Sequence, residues 1–334
     1  MRPDRRTEAP RRVVLADRLA PDGVEILREA EGIEVHDLVG RSRKELLAAL
    51  PGAAGLVVRS GTTVDEALLA ATDGLRVIGR AGVGLDNVDV DAATRRGVAV
   101  LNAPAGNTVS TAELTFGLLL ASARHIPEAD RSLRAGRWER MELQGDQLGG
   151  RTLGVLGAGR IGSAVARRGR AFEMRVIVHD PYLPADVLEA LGVRPVDLDT
   201  LLTEADFLTI HVPATPETIG LIGPEELSRL KPSAYLVNAA RGGVVDESAL
   251  ADALAAGRLA GAAVDVFEAE PLPNDHPLLE APHVILTPHL GAATAAAQRE
   301  VAVEIAKRVR DALLRGDLSS AVNRTRLDPA RRAS

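Results

Sequence analysis

The chain contains no cysteine. Disulfides, thiolate metal sites and cysteine nucleophiles are therefore excluded, and the expected compartment is a reducing one, the cytoplasm. Aromatic residues make up only 2% of the chain, so alanine, leucine and valine must fill its cores. No apolar run reaches the length of a membrane span. Positive charge is not in excess either. The net charge of -6 argues against a nucleic-acid footprint. The opening "MRPDRRTEAPRR" is charged and is followed only by "VVLA" before Asp17, too short for the apolar region of a signal peptide. No export is expected, and the arginine pairs read as a solvated tail. No metal is expected.

What is present is an alternation. At 334 residues, 46% of them apolar, the chain has room for two domains. "RVVLA" (12–16), "GLVV" (55–58), "LRVIG" (75–79) and "VAVL" (98–101) read as strands, with helical spacing in "DGVEILREA" and "RKELLAAL" between them. "NTVSTAELTFGLLLASARHI" (107–126) reads as one long, mostly buried helix. Six further strands follow in "TLGVLG", "RVIVHD", "DFLTIHVP", "AYLVNA", "AGAAVDV" and "VILTPH", before a last helix at roughly 292–315. Strand–helix alternation predicts parallel sheets covered on both faces. The later strands suffice for a complete doubly wound sheet, the earlier ones for a smaller α/β unit onto which the last helix returns.

"TLGVLGAGRIGSAVARR" carries Gly157, Gly159 and Gly162 as G-x-G-x-x-G between a strand and a helix. The first glycine permits a tight turn, the second a close backbone approach to a pyrophosphate, the third tight helix–strand packing. Arg160 and Ile161 open that helix, whose free amides and dipole suit phosphate. Asp180 ends the next strand, where an acid binds a ribose 2′-hydroxyl and repels a 2′-phosphate. The predicted cofactor is NAD.

A nicotinamide cofactor supplies redox chemistry and leaves the protein to hold a substrate and manage one proton. A 2-hydroxy acid needs a cation for its carboxylate and an acid/base for its hydroxyl, a task suited to histidine. Of the seven histidines, His289 in "VILTPHLGAAT" stands at the carboxyl end of a strand, where α/β sheets bind ligands. His179 and His211 also end strands, the one ahead of the ribose acid and the other ahead of Val212 and Pro213. Glu270 in "DVFEAEPL" is a plausible partner, since a carboxylate stabilises a charged imidazole and can fix its ring. Asp265 in "AAVDVF" is costly to bury unpaired and needs a partner, for which the nicotinamide carboxamide is a candidate. Arg241 follows the apolar run "AYLV" through Asn238 and two alanines and precedes two glycines. It is either a surface arginine or a substrate cation beside residues too small to cover it.

Taken in order, "VVRSGTTV", "GRAGVGLDNVD", "NAPAGNTVSTAEL", "GRWER", "LGAGRIG", "NAARGGVVDE", "DVFEAEPL" and "TPHLGA" resemble the D-2-hydroxyacid dehydrogenase family, over about residues 12 to 323. The resemblance implies a Rossmann-type doubly wound parallel sheet at 103–291. It also implies a second, smaller, flavodoxin-like α/β substrate domain at 1–102, completed by 292–334. By the same resemblance Arg241 binds the substrate carboxylate and keto oxygen, His289 is the acid/base, Glu270 is its partner and Asp265 orients the nicotinamide amide. Val83, Thr108, Arg160, Ile161, Asp180, Val212, Pro213, Ala239, Ala240 and Gly291 match positions lining NAD. The D enantiomer is implied in the same way.

Arg59 and Arg80 follow strands of the first unit, with Ser60 and Gly82 beside them, and match the substrate-binding segments. The arginine matching Arg140 reaches in from a partner subunit, which implies a homodimer through 107–126 and the segment with Trp138. Three cations exceed what a carboxylate needs, so a phosphorylated 2-hydroxy acid is expected. An unphosphorylated 2-hydroxy or 2-keto acid is one alternative, and an NAD-sensing scaffold in transcription another. Many members continue into a serine-sensing regulatory region, whereas this sequence stops soon after "SSAVN", so no feedback through such a region is expected.

Overall fold

The computed structural model describes residues 9–327; the arginine-rich start up to residue 8 lies outside them. The chain divides into two compact units, residues 1–107 with 294–334 and residues 108–293.

The first unit is a five-stranded parallel sheet of β1 (Arg11–Leu15), β2 (Ile33–Asp37), β3 (Gly55–Val58), β4 (Val77–Arg80) and β5 (Ala99–Asn102), in the order β2-β1-β3-β4-β5. That order is the flavodoxin-like one. Strand alternation sends successive side chains to opposite faces, and both faces are buried. Val13, Leu15, Val57, Val77 and Leu101 pack with Val301, Ile305 and Val309 of the Ala295–Arg315 helix. Val14, Leu56, Val58, Ile78 and Val100 pack with Leu46, Leu68 and Leu69. The last helix thus belongs to the first unit. It starts at Thr294, whose hydroxyl accepts the Ala297 amide, and ends at Gly316 in the left-handed conformation.

The second unit is a seven-stranded parallel sheet: β6 (Thr152–Leu156), β7 (Arg175–His179), β8 (Arg194–Pro195), β9 (Phe207–Ile210), β10 (Tyr235–Asn238), β11 (Gly261–Val264) and β12 (Val284–Leu286). Their order is β12-β11-β10-β9-β6-β7-β8. Leu153, Val155, Val176, Val178, Phe207 and Val237 meet Phe116 and Leu119 of the Thr108–Ala123 helix and Ala164 and Val165 of the Arg160–Ala171 helix. Leu156, Ile177, Leu208, Ile210, Leu236 and Val264 meet Leu201, Leu202, Leu250 and Leu254 on the other face. Strand order reverses between β6 and β9, the switch point at which such sheets bind ligands beyond their carboxyl ends.

Three features differ from the sequence reading. β2 was not among the expected strands; it lies at a sheet edge, and its "IEVHD" has only one fully buried residue, Ile33. β8 is a two-residue edge strand that brings the second sheet to seven. The expected helix over 107–126 ends at Ala123. His125 is left-handed, and a second helix, Ile126–Arg134, begins with Pro127 in its first turn. Among the described residues no helix is long and apolar enough to cross a membrane.

Candidate active site

The turns that follow the strands of the second sheet carry most of the expected site. After β6, Gly157 adopts φ +88 and is pressed against the turn after β9; a Cβ there would lie 2.8 Å from Val212 Cγ1. A Cβ on Gly162 would strike the Gly157 carbonyl, so both positions require glycine. Gly159 is different. It caps the Arg160–Ala171 helix with no side-chain hydrogen bond, and a Cβ there would meet nothing within 4 Å. An uncapped helix start facing open space is what a pyrophosphate requires. Arg160 is exposed and Ile161 half-buried beside it.

Asp180, one residue past β7, fixes this loop. Its carboxylate accepts the Ala158 amide at 2.8 Å and the Tyr182 amide at 2.9 Å. Thr108, the first residue of its helix, has a buried hydroxyl with no hydrogen-bond partner among the described residues, as an orphan awaiting a ligand would. These groups fit a dinucleotide. Val212 is half-buried and Pro213 exposed after β9; Ala239 is buried and Ala240 half-buried after β10.

His211 is held in the turn after β9, its Nε2 2.9 Å from the Thr209 hydroxyl and its Nδ1 enclosed without a partner. Burial pushes its pKa down from 6.5 to about 3. The unfolded chain takes up this proton near pH 6.5 and the folded one only near pH 3. The stability His211 contributes is thus present above about pH 6.5 and is lost as pH falls toward about 3. His211→Gln is expected to blunt the acid sensitivity of urea unfolding. Its loss of stability between neutral pH and pH 4 should be smaller than that of the parent by on the order of 2 kcal/mol. Parallel curves for the two proteins would show that the imidazole does not resist protonation.

The turn after β10 carries Arg241. Asn238, buried at the strand's end, accepts the Ala240 amide at 3.1 Å and donates to the Arg241 carbonyl at 3.0 Å. The guanidinium is partly buried and donates through Nη1 to the Ala240 carbonyl at 2.6 Å. Sequence reading noted Asn238 only as the end of an apolar run. Its signal was a polar residue where the strand should still be buried.

His289 lies in the turn after β12 with φ +53, an uncommon conformation for a side chain larger than glycine. Its amide donates to the carbonyls of Asp265 (2.8 Å) and Thr287 (3.0 Å), and its Nδ1 lies 2.7 Å from Glu270 Oε2. Glu270 Oε1 in turn accepts the Phe267 amide at 3.1 Å. Glu270 and His289 are thereby paired, and the turn that carries Arg241 lies against the segment leading to Glu270. Gly242 rests directly on the backbone of Phe267 and Glu268, leaving no room for a Cβ. Other histidines are engaged elsewhere: His36 with Glu34, His179 with the Val196 carbonyl, His276 with Glu247, and His125 with His283.

Asp265 and Gly291 lie in the turn around His289. Asp265 is fully buried just past β11. It accepts the Thr287 hydroxyl at 2.6 Å and the amides of Leu290 and Gly291 at 2.8 and 3.0 Å. The chain itself supplies partners for the buried carboxylate. Gly291 is buried too, its carbonyl accepting the hydroxyls of Ser110 (2.7 Å) and Thr111 (3.1 Å). Both residues hold the turn that presents His289.

The match to known proteins agrees with this geometry. Residues 116–291 fit the model of the D-isomer specific 2-hydroxyacid dehydrogenase, NAD binding domain. The chain belongs to the D-2-hydroxyacid dehydrogenase family. It is 46% identical over 319 residues to the D-3-phosphoglycerate dehydrogenase of Archaeoglobus fulgidus, covering 96% of this chain and 60% of that one. It is 50% identical over 311 residues to that of Mycobacterium tuberculosis, covering 93% of this chain and 58% of that one. The chain thus spans about 60% of the length of the curated relatives it matches. Among solved structures, a glyoxylate reductase from Paecilomyes thermophila superposes with a TM-score of 0.86 at 30% identity, covering 95% of this chain and 100% of that one. A D-lactate dehydrogenase from Aquifex aeolicus, complexed with NAD and lactic acid, gives 0.81 at 30% identity, covering 92% and 97%.

The family's NAD-binding domain falls within the second unit. Asp180→Asn keeps an acceptor for the Ala158 amide and removes the charge. It is expected to narrow the preference for NAD over NADP by roughly tenfold in titration calorimetry, about 1.4 kcal/mol. An unchanged ratio would remove Asp180 from the ribose site.

The remaining substrate candidates lie in the first unit, apart from Arg140. Arg59 follows β3; its amide donates to Asp17 at 2.6 Å and its carbonyl accepts from Asn87 at 2.5 Å. Ser60 is exposed in the same loop. Arg80 is the last residue of β4 rather than one beyond it, and its guanidinium folds over Gly82, which has φ +154. Val83 accepts the Asn102 side-chain amide at 2.7 Å. Arg140 is exposed in a segment where Leu133, Trp138 and Met141 are exposed as well.

Proposed function

We propose that the protein oxidises D-3-phosphoglycerate to 3-phosphohydroxypyruvate with NAD, the first step of serine biosynthesis. The His289–Glu270 pair beside the Arg241 turn carries this reading, with the name shared by relatives 46% and 50% identical as support for the substrate. NAD is held by the Gly157–Gly162 turn, Asp180 and Thr108, with Val212, Pro213, Ala239, Ala240 and Val83 lining it, and supplies the hydride acceptor. Arg241 grips the substrate carboxylate, which a planar guanidinium can do bidentately. His289 takes the hydroxyl proton through Nε2, since Nδ1 is committed to Glu270. In the reverse direction the protonated ring returns that proton to the keto oxygen.

Arg59, Ser60, Arg80 and Gly82 bind the phosphorylated end of the substrate, and Arg140 completes the site of a second subunit in a homodimer. The exposed Leu133, Trp138 and Met141 support such an interface. A cytoplasmic location accords with the lack of cysteine. Arg140→Ala is expected to raise KM for the phosphorylated acid several-fold and to leave KM for an unphosphorylated one unchanged. Equal effects on both would sink the phosphate role. The overall reading is tested by NADH formation with the D and L enantiomers; activity on the L form alone would overturn it. The second reading, a reductase of an unphosphorylated 2-keto acid, is favoured by the superposition on a glyoxylate reductase.

A further inference from the structure

A second carboxylate–imidazole pair lies behind the first. Glu247 follows Asp246, whose side chain caps the Glu247–Ala255 helix by accepting the Ala249 amide. The Glu247 side chain is only 8% exposed, although it serves neither as cap nor as core. Its Oε1 accepts the Glu268 amide at 2.7 Å, and its Oε2 lies 3.0 Å from His276 Nε2. His276 is itself 16% exposed, with its ring edge against Phe267. The Leu278 amide donates to His276 Nδ1 at 3.3 Å, which places the ring proton on Nε2, pointing at Glu247.

Two contacts of this pair lie along the segment that carries Glu270. Glu268, tied to Glu247, is two residues before it. Phe267, touched by His276, donates its amide to Glu270 Oε1. The Gly243 amide faces Glu247 as well, two residues from Arg241. Burial, with the nearby Glu268 carboxylate, raises the Glu247 pKa, and the amides of Glu268 and Gly243 and the His276 ring oppose that rise. A carboxylate kept here against that cost is one whose geometry is used.

We propose that Glu247 and His276 are positioning residues that hold the Phe267–Glu270 turn, and so set the Glu270 carboxylate against His289. The proposal rests on the reading of His289 and Glu270 as the acid/base pair. Neither Glu247 nor His276 touches substrate or cofactor; both act through Glu270. A carboxylate displaced by about an ångström orients the imidazole poorly, and misplacement on that scale costs up to about 100-fold in rate.

The test compares His276→Leu, His276→Gln and Glu247→Gln in the full chain, with NAD and D-3-phosphoglycerate. His276→Leu removes the donor and is expected to lower kcat 10- to 100-fold while KM for NAD stays within about twofold. His276→Gln places an amide N–H where Nε2–H stood and is expected to recover most of the loss. Glu247→Gln turns an N–H toward either the Glu268 amide or the His276 ring, and is expected to lower kcat with KM for NAD unchanged. It also serves as the working variant should His276→Leu fail to fold. The proposal is overturned if folded His276→Leu or Glu247→Gln keeps parental kcat, or if glutamine at 276 restores nothing. Glu270→Gln in the same assay separates the two claims. If it too leaves turnover intact, the acid/base reading has failed. If it lowers turnover while His276→Leu does not, only the positioning role has failed.

Discussion

His289→Asn is expected to lower kcat by about 10²- to 10⁴-fold, the usual contribution of a positioned general acid/base. Asparagine is chosen because the backbone at this position has φ +53, which asparagine tolerates and most residues do not. The hydrogen bonds from the 289 amide to Asp265 and Thr287 can then persist, and only the imidazole is lost. NAD affinity by calorimetry should change little, because the glycine turn and Asp180 are untouched. The loss should appear in both directions of reaction, since the same ring accepts and returns the proton. A variant retaining more than about a fifth of the parental kcat would mean that another group moves it.

Arg241→Lys is the second large effect. The charge is kept, but the fork that meets a carboxylate with two parallel N–H donors is gone. Lysine gathers its donors on one nitrogen, so it cannot meet the Ala240 carbonyl from one arm while holding two parallel donors toward a carboxylate. A loss of kcat/KM on the order of 3 kcal/mol, two powers of ten, is expected, shared between KM for the acid and kcat. KM for NAD should stay near its parental value. If lysine supports parental kcat/KM, Arg241 is a structural arginine held by the Asn238 turn.

The parts of the site that could be read from sequence are those whose physics is local. Gly157, Gly159 and Gly162 sit within six residues; the tight turn demands the absence of a side chain at Gly157 and the helix packing at Gly162, while Gly159 stands at the open helix start. The place of His289 in the turn after a strand is legible from the apolar run before it, because a parallel sheet delivers its strand ends to one edge. The partners of Asp265 and Gly291 within the chain are not legible in the same way. The partners of Asp265 are Thr287, Leu290 and Gly291, 22 to 26 positions away, and only the folded turn brings them together. Glu247 and His276 left no signal. Each reads as an ordinary polar residue, and their partnership depends on a helix start meeting a loop 29 residues later. Of the strands, edge strands were the ones missed. β2 and β8 are half-exposed, so the unbroken apolar runs that mark β3, β6, β9 and β10 have no reason to form there.

The most direct test is kcat/KM for NADH formation with D-3-phosphoglycerate, set against D-glycerate, D-lactate and 2-hydroxyglutarate, at alkaline pH with a ketone trap. The expected result is a clear preference for the phosphorylated acid. A preference for an unphosphorylated acid would contradict the proposed substrate, leaving Arg241, Glu270 and His289 as the catalytic set and Arg59, Arg80 and Arg140 without a phosphate to bind.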